Sequence, residues 1–230
     1  MIEYVAETGS TNADLIERYK NGYAVHENAW LVADRQSAGR GRQGREWTDG
    51  GGNFMGSTIV LPSSGDPAIR TLSLVTGIAV HETCVSFAPN ARFTLKWPND
   101  LMVEGAKIAG VLLEGFDDAV VVGVGVNLAK SPSIAERSTT AFAEFADIPM
   151  RNVFAERLCA EFGKALDRWR TYGLDPILLR WLQLAHPIDT RLKVHGENGA
   201  FVSGRFEGLG PDGALLLRTA DGAHRAIHSG

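Results

Sequence analysis

The chain has 230 residues, 44% hydrophobic and 22% charged, with a formal net charge of −4. That suits one large globular domain, or one domain with a small appendage, and it argues against a surface that attracts nucleic acid. Two cysteines without C-x-x-C spacing exclude a secreted disulfide framework, and no apolar run reaches about 18 residues, so no membrane span is expected.

The N-terminus, M-I-E-Y-V-A-E-T-G-S, carries acids and no long apolar run, so it does not read as a signal peptide. A cytoplasmic location follows by default. Ile2 to Val5 is a short strand candidate. Thr8 to Asn12 is rich in helix-capping residues, with a helix expected from about Asn12 to Lys20. Trp30 to Ala33 reads as a strand.

The segment Asp34 to Trp47, D-R-Q-S-A-G-R-G-R-Q-G-R-E-W, has no helical period. Arg35, Arg40, Arg42 and Arg45 alternate there with Gly39, Gly41 and Gly44, and Gly50, Gly51 and Gly52 follow. Glycine lets a backbone come close to a ligand, and arginine offers a rigid fork of donors suited to carboxylate and phosphate. The pattern points to a loop that orders over a small anion, mobile when empty, and so to phosphate or acyl-phosphate chemistry.

Asn53 to Leu61 reads as a buried strand, Ala68 to Phe87 as a helix, and Phe93 to Lys96 as a strand. Leu101 to Val103, a Glu104-Gly105 turn and Lys107 to Glu114 form a predicted hairpin. Ala119 to Val126 is a β-branched run typical of a central strand. Two helices are expected, Asn152 to Tyr172 and Pro176 to Ala185. Four short strands follow, at 191–195, 200–209, 214–218 and 223–228, separated by turns at 197–199, 210–213 and 221–222. Regular turn spacing suggests a small β-barrel, with a domain boundary near 186.

Four further segments carry candidate chemistry, each with a plain structural alternative. Ser10-Thr11-Asn12 is a helix cap or a set of neutral ligand partners. Lys96-Trp97-Pro98-Asn99-Asp100 is a surface turn or a place that presents an amide and a carboxylate together. Lys107 is a solvated strand end or an anion ligand. Gly123-Val124-Gly125-Val126-Asn127 is a bend or a floor for a flat ligand. The six histidines form no credible metal site, and no side-chain metal site is expected.

In this order, S-T-N, Q-x-A-G-R-G-R-x-G-R-x-W, K-W-P-N-D, K-x-A-G-x-L-x-E and G-x-G-x-N resemble the biotin protein ligase family, the biotin–acetyl-CoA-carboxylase ligases. The resemblance covers about residues 5 to 230. It implies an α+β fold: a mixed β-sheet with flanking helices, related to class II aminoacyl-tRNA synthetases, over residues 1–186, then a small SH3-like β-barrel over 187–230. It implies activation of biotin by Mg²⁺-ATP to biotinyl-5′-adenylate. The acyl group then passes to one lysine of a biotin carboxyl carrier protein of acetyl-CoA or related carboxylases.

By the same resemblance, Ser10, Thr11, Asn12, Gln36, Arg40, Gly41 and Arg42 line the biotin pocket. Lys107 holds the biotin carboxylate and the adenylate. Asn99 and Asn127 lie near the adenine and its phosphate, Trp47 packs on the adenine, and Arg45 lies near the triphosphate. Mg²⁺ comes with the ATP phosphates. Lys107, Arg40 and Arg42 are the catalytic cations. Asp100 either deprotonates the acceptor lysine or buttresses its turn.

The chemistry asks for these types independently. A ureido ring presents two N–H donors and one carbonyl, which neutral Ser, Thr, Asn and Gln can meet. Two anions must then be brought together, which needs cations rather than a general base. Some relatives carry an N-terminal helix-turn-helix. Here Ser10 arrives almost at once, so no DNA-binding role is expected, and a homodimer is left open. The chain stops at Ser229-Gly230, where a further strand often follows in the family, so the last strand is expected to be abbreviated or completed otherwise. A lipoate or octanoate ligase, a non-catalytic biotin sensor and an RGG-like RNA-binding segment are the alternatives.

Overall fold

In the computed structural model, which describes residues 1–134, 138–195 and 201–228, the β-branched run at 119–126 becomes the middle strand of a seven-stranded sheet. In chain order the elements are β1 (Ile2–Thr8), α1 (Thr11–Lys20), β2 (Trp30–Gln36), β3 (Phe54–Val60), α2 (Leu72–Phe87), β4 (Phe93–Lys96), β5 (Asp100–Val103), β6 (Ala106–Phe116) and β7 (Ala119–Val126). Then come α3 (Arg151–Tyr172), α4 (Asp175–Leu184), β8 (Arg191–His195), β9 (Phe201–Leu209), β10 (Leu215–Arg218) and β11 (His224–Ile227). The sheet order is β1-β2-β3-β7-β6-β5-β4, with β1 and β2 parallel and the other neighbours antiparallel.

Alternation along β7 divides the sheet into two unlike faces. Val120, Val122, Val124 and Val126 join the large core that includes Leu72, Val75 and Ile78 of α2 and Phe154, Leu158 and Phe162 of α3. Each buried valine stabilises the fold by roughly 1.5–3 kcal/mol. The other face carries Ala119 and Val121, which pack with Leu31, Ile59 and Leu15 of α1 in a second, small cluster. Beyond that cluster the same face continues as Gly123 and Gly125, without side chains.

Two expected boundaries move for local reasons. β1 runs on past Val5 to Thr8 because Glu7 and Thr8 continue the parallel ladder with Arg35 and Gln36. α2 starts at Leu72 rather than Ala68 because Ile69–Thr71 forms a tighter 3₁₀ turn first.

The C-terminal strands form a four-stranded antiparallel sheet, order β11-β10-β9-β8. It packs on the larger unit through Phe206, whose ring meets Trp181 edge-on at 6.5 Å. Trp97 Nε1 donates to the Gly213 carbonyl at 3.1 Å. The turn expected at 197–199 and the chain end at Ser229-Gly230 lie outside the described residues.

Candidate functional site

The floor of the site is a pair of glycines. Gly110 of β6 and Gly125 of β7 are direct partners in the ladder, and Gly123 stands two residues from Gly125 on the same face. A Cβ on Gly125 would collide with the Trp47 indole, and one on Gly123 with the Asn12 amide. A Cβ on Gly110 would meet Lys107 Nζ at 3.0 Å and Trp47 Cζ3 at 3.3 Å. Only glycine at these positions lets the three side chains lie on the sheet itself.

At the Gly123 end sits a cluster of neutral polar groups. Ser10 caps α1, its hydroxyl accepting from the Ala13 N–H at 3.5 Å, which fixes the start of the helix. Thr11 N–H donates to Gln36 Oε1 at 2.7 Å, and Thr11 Oγ1 lies 3.0 Å from that oxygen. Thr11 Oγ1 is 2.6 Å from Ser57 Oγ, and Ser57 Oγ is 2.5 Å from Asn12 Oδ1. Ser10, Thr11, Asn12 and Ser57 are all buried.

At the other end the groups are charged. Lys107 Nζ pairs with Asp100 Oδ1 at 2.5 Å and stands 5.8 Å from the Trp47 ring centre. Arg42 Nη1 donates to Asn99 Oδ1 at 3.2 Å, and Asn99 Nδ2 donates to the Val111 carbonyl at 2.6 Å. Burial holds the Arg42 guanidinium below its usual range, with Arg45 adding repulsion and Asp100 opposing. An arginine stays charged regardless. This cation has therefore lost hydration, which is what makes it an effective receptor for an anion.

The glycine-arginine loop is a short hairpin. Arg45 N–H donates to the Arg42 carbonyl across Gln43 and Gly44, both at positive φ (59° and 70°), a turn type matched to the twist of paired strands. Gly41 N–H donates to the Arg45 carbonyl at 2.7 Å and Trp47 N–H to the Gly39 carbonyl at 2.9 Å. The last contact brings the Trp47 carbonyl within 2.5 Å of where a Gly39 Cβ would stand, so Gly39 permits this closure. The turn delivers Trp47 onto the glycine floor and leaves Arg40 beside Glu114 at 3.2 Å.

Most of the residues singled out from the sequence thus fall in two clusters, with Arg40 beside Glu114 and with Arg45 and Asn127 apart from both. Thr11, Asn12 and Gln36 gather at one end of the floor, next to the Ser10 cap. Trp47, Arg42, Asn99, Asp100 and Lys107 gather at the other. Arg45 turns toward the C-terminal sheet, donating to Gln43 Oε1 at 2.8 Å and lying 2.9 Å from His195 Nε2. Asn127 is buried, its Nδ2 donating to the Thr140 carbonyl at 3.1 Å and its Oδ1 without a hydrogen-bond partner. Among the described residues no group of three or more His, Cys, Asp and Glu side chains is placed to hold a metal ion. No helix among them is long and apolar enough to cross a membrane.

Two members of the site were not singled out from the sequence. Ser57 is a hydroxyl in the middle of a wholly buried strand, and Glu114 ends the K-x-A-G-x-L-x-E run. Both carried a legible signal: Ser57 is a polar group at a core position, and Glu114 is an acid in phase with Gly110 on a period of two.

Residues 6–127 match the sequence profile of the biotin/lipoate A/B protein ligase family, and residues 191–230 match that of the biotin protein ligase C-terminal domain. A biotin–[acetyl-CoA-carboxylase] ligase of Paracoccus denitrificans is 36% identical over 230 residues, 93% of this chain and 92% of that protein. A ligase of the same description from Mycobacterium tuberculosis is 32% identical over 221 residues, 94% of this chain and 82% of that one. Among solved structures, biotin protein ligase from Aquifex aeolicus in complex with biotin and ATP superposes with a TM-score of 0.87 at 27% identity. That alignment covers 100% of this chain and 96% of that one.

Proposed function

This chain belongs to the biotin protein ligases of the biotin/lipoate A/B protein ligase family, and we propose that it joins biotin to ATP as biotinyl-5′-adenylate and then transfers the acyl group to a lysine of a biotin carboxyl carrier protein. One observation carries this reading. A neutral hydrogen-bonding cluster and a cationic cluster share one face of the sheet, joined by a floor of glycine. Gly123 and Gly125 are two residues apart on a strand, about 7 Å. A flat ligand with a neutral polar head and a carboxylate tail spans that separation. A ureido ring and a valerate arm have this form.

In this reading Thr11, Asn12, Gln36 and Ser57 receive the ureido ring. Thr11 Oγ1 and Gln36 Oε1 supply acceptors for its N–H groups. Arg40 and Gly41 close the pocket at the head. Trp47 lies on Gly125 over the middle, and the adenine packs against the indole face turned away from the glycines. Lys107 and Arg42 take the carboxylate and the α-phosphate, so that two anions approach without mutual repulsion deciding the barrier. Asn99 and Asn127 border the nucleotide, and Arg45 lies toward its triphosphate.

The carboxylate of biotin must displace Asp100 from Lys107. That exchange releases Asp100, a carboxylate next to the reacting centre, for the second step. There the acceptor lysine has to lose a proton before it attacks the mixed anhydride. Asp100 and Glu114 are each already paired with a cation, Lys107 and Arg40, which suits Mg²⁺ carried on phosphate oxygens rather than caged by protein. When bound it neutralises charge on the departing pyrophosphate. We take residues 1–186 as the catalytic unit and 187–230 as a C-terminal unit that contributes to carrier docking, with a carboxylase carrier domain as the acceptor.

Biotin is favoured over lipoate by the names of both relatives and by the ureido-matched cluster, since a dithiolane offers no N–H to it. ATP–pyrophosphate exchange with each acid tests the choice. Exchange supported by lipoate or octanoate and not by biotin would reverse it, and biotin binding without any exchange would make the chain a sensor.

A further inference from the structure

We infer that Glu114 is a positioning residue that fixes the donor and acceptor sense of the head pocket and ties that pocket to the loop. The inference rests on the biotin reading above.

Thr11 Oγ1, Ser57 Oγ and Asn12 form consecutive contacts at 2.6 and 2.5 Å. Each hydroxyl has one hydrogen to give. If Thr11 gave its hydrogen to Gln36 and Ser57 gave its own to Asn12, the 2.6 Å contact between the two oxygens would have none. Gln36 Oε1 already receives the Thr11 backbone N–H at 2.7 Å. Two hydrogens cannot serve all three contacts, so the longer one, Thr11 Oγ1 to Gln36 Oε1 at 3.0 Å, goes without: Thr11 donates to Ser57 at 2.6 Å, Ser57 donates to Asn12 Oδ1, and Asn12 Nδ2 donates to Glu114 Oε2 at 2.7 Å. The chain runs in one direction and ends on a carboxylate, which only accepts.

That direction matters for the ligand. With its hydrogen pointed at Ser57, Thr11 keeps its lone pairs for an incoming N–H. Reversing the chain would turn acceptors into donors and oppose a ureido ring. Hydrogen bonds in such a chain also polarise one another.

Glu114 does a second thing with its other oxygen. Oε1 lies 3.2 Å from Arg40 Nη2, so one side chain holds both the amide at the start of α1 and the first arginine of the loop's R-G-R run. Gly123 lies directly beneath Asn12, which leaves the amide no alternative seat on the sheet. Glu114 reaches both partners because Gly110, Leu112 and Glu114 alternate onto the face that bears the site.

Glu114→Gln separates this role from plain packing. Glutamine is the same size. If its oxygen faces Asn12, its amide opposes Arg40; if its amide faces Asn12, the chain reverses. The expected result in pyrophosphate exchange is a KM for biotin raised about tenfold or more, by the usual worth of a hydrogen bond to a charged group. The KM for ATP should stay within about twofold. The swap N12D/E114Q provides the rescue. The carboxylate it places on α1 would accept both from Ser57 and from the amide it places on β6. The oxygen of that same amide would face Arg40, and the net charge is unchanged. The swap should recover most of the lost biotin affinity, and it serves as the second arm if E114Q alone is unstable.

Wild-type exchange with an unchanged biotin KM in E114Q would overturn the inference. So would equal rises in both KM values, or a swap no better than E114Q. A wild type with no biotin-dependent exchange would overturn the biotin reading itself, and this inference with it.

Discussion

The indole of Trp47 rests on the backbone of Gly125 so closely that no other residue could stand beneath it. This contact links the glycine-arginine loop to the central strand and sets the height of the pocket's middle. An added methyl has nowhere to go without lifting the ring. Overpacking of this kind costs about 1–3 kcal/mol, or roughly ten- to a hundredfold if it falls on binding. Gly125→Ala should lower kcat/KM in biotin-dependent exchange by that factor. Gly115→Ala, where a Cβ meets nothing within 4 Å, should leave it unchanged. Equal activity of the two variants would show that Trp47 has no part in the site.

Lys107 and Asp100 are expected to separate the two half-reactions. Lys107→Met removes a charged partner of the acid and should slow adenylate formation about ten- to a hundredfold. Asp100→Asn should retain pyrophosphate exchange within a few-fold and lose acyl transfer to a carrier lysine, measured by single-turnover transfer from preformed adenylate. Normal transfer by Asp100→Asn would reduce Asp100 to a buttress for its turn.

The seat of the loop's C-terminal end has its own stability signature. Asn53 is fully buried, and its Oδ1 accepts from the N–H groups of Ala129 and Lys130 while its Nδ2 donates to the Lys130 carbonyl. Asn53→Ala leaves those groups without partners, at roughly 1–3 kcal/mol for each that stays buried. Thermal melting should drop by about 4–10 °C. A drop under about 1 °C in the alanine variant would mean that water replaces the side chain there.

Legibility from sequence was uneven for physical reasons. β4 and β7 were legible to the residue because β-branched and aromatic runs end at clear turn signals. The polar and cationic lining of the groove was foreshadowed by Thr11, Gln36, Arg42 and Lys107, whose side chains the fold brings to one face of the sheet. Ser57 and Glu114 carried only a weak signal, a polar group at a core position and an acid in phase with Gly110, which is easily passed over within a strand. Their meaning comes from which strand lies beside them, and the crossover that inserts β7 between β3 and β6 is a long-range choice. The glycine-arginine run read as a loop, but its hairpin turn at Gln43-Gly44 rests on a non-glycine residue at positive φ, which composition does not announce.

Stability should fall on mild acidification. Burial holds His81 below the usual imidazole range, with Glu82 opposing, and burial beside Lys96 does the same to His186. Above about pH 6.5 both are neutral whether the chain is folded or not. Below it the unfolded chain binds protons that the fold resists, so stability is lost as the pH falls toward the depressed folded values. His81→Leu should flatten part of the decline in melting temperature between about pH 7 and 5, with His186 accounting for another part. A decline of unchanged slope in His81→Leu would assign the acid sensitivity elsewhere.

We propose that one glycine-floored groove takes biotin's head in its neutral cluster and its carboxylate among Lys107 and Arg42, where ATP activates it. Isotope exchange between pyrophosphate and ATP tests this most directly. With purified protein and Mg²⁺, exchange should appear only when biotin is added and should collapse in Lys107→Met. Exchange that ignores biotin, or that survives the loss of Lys107 undiminished, would contradict the account.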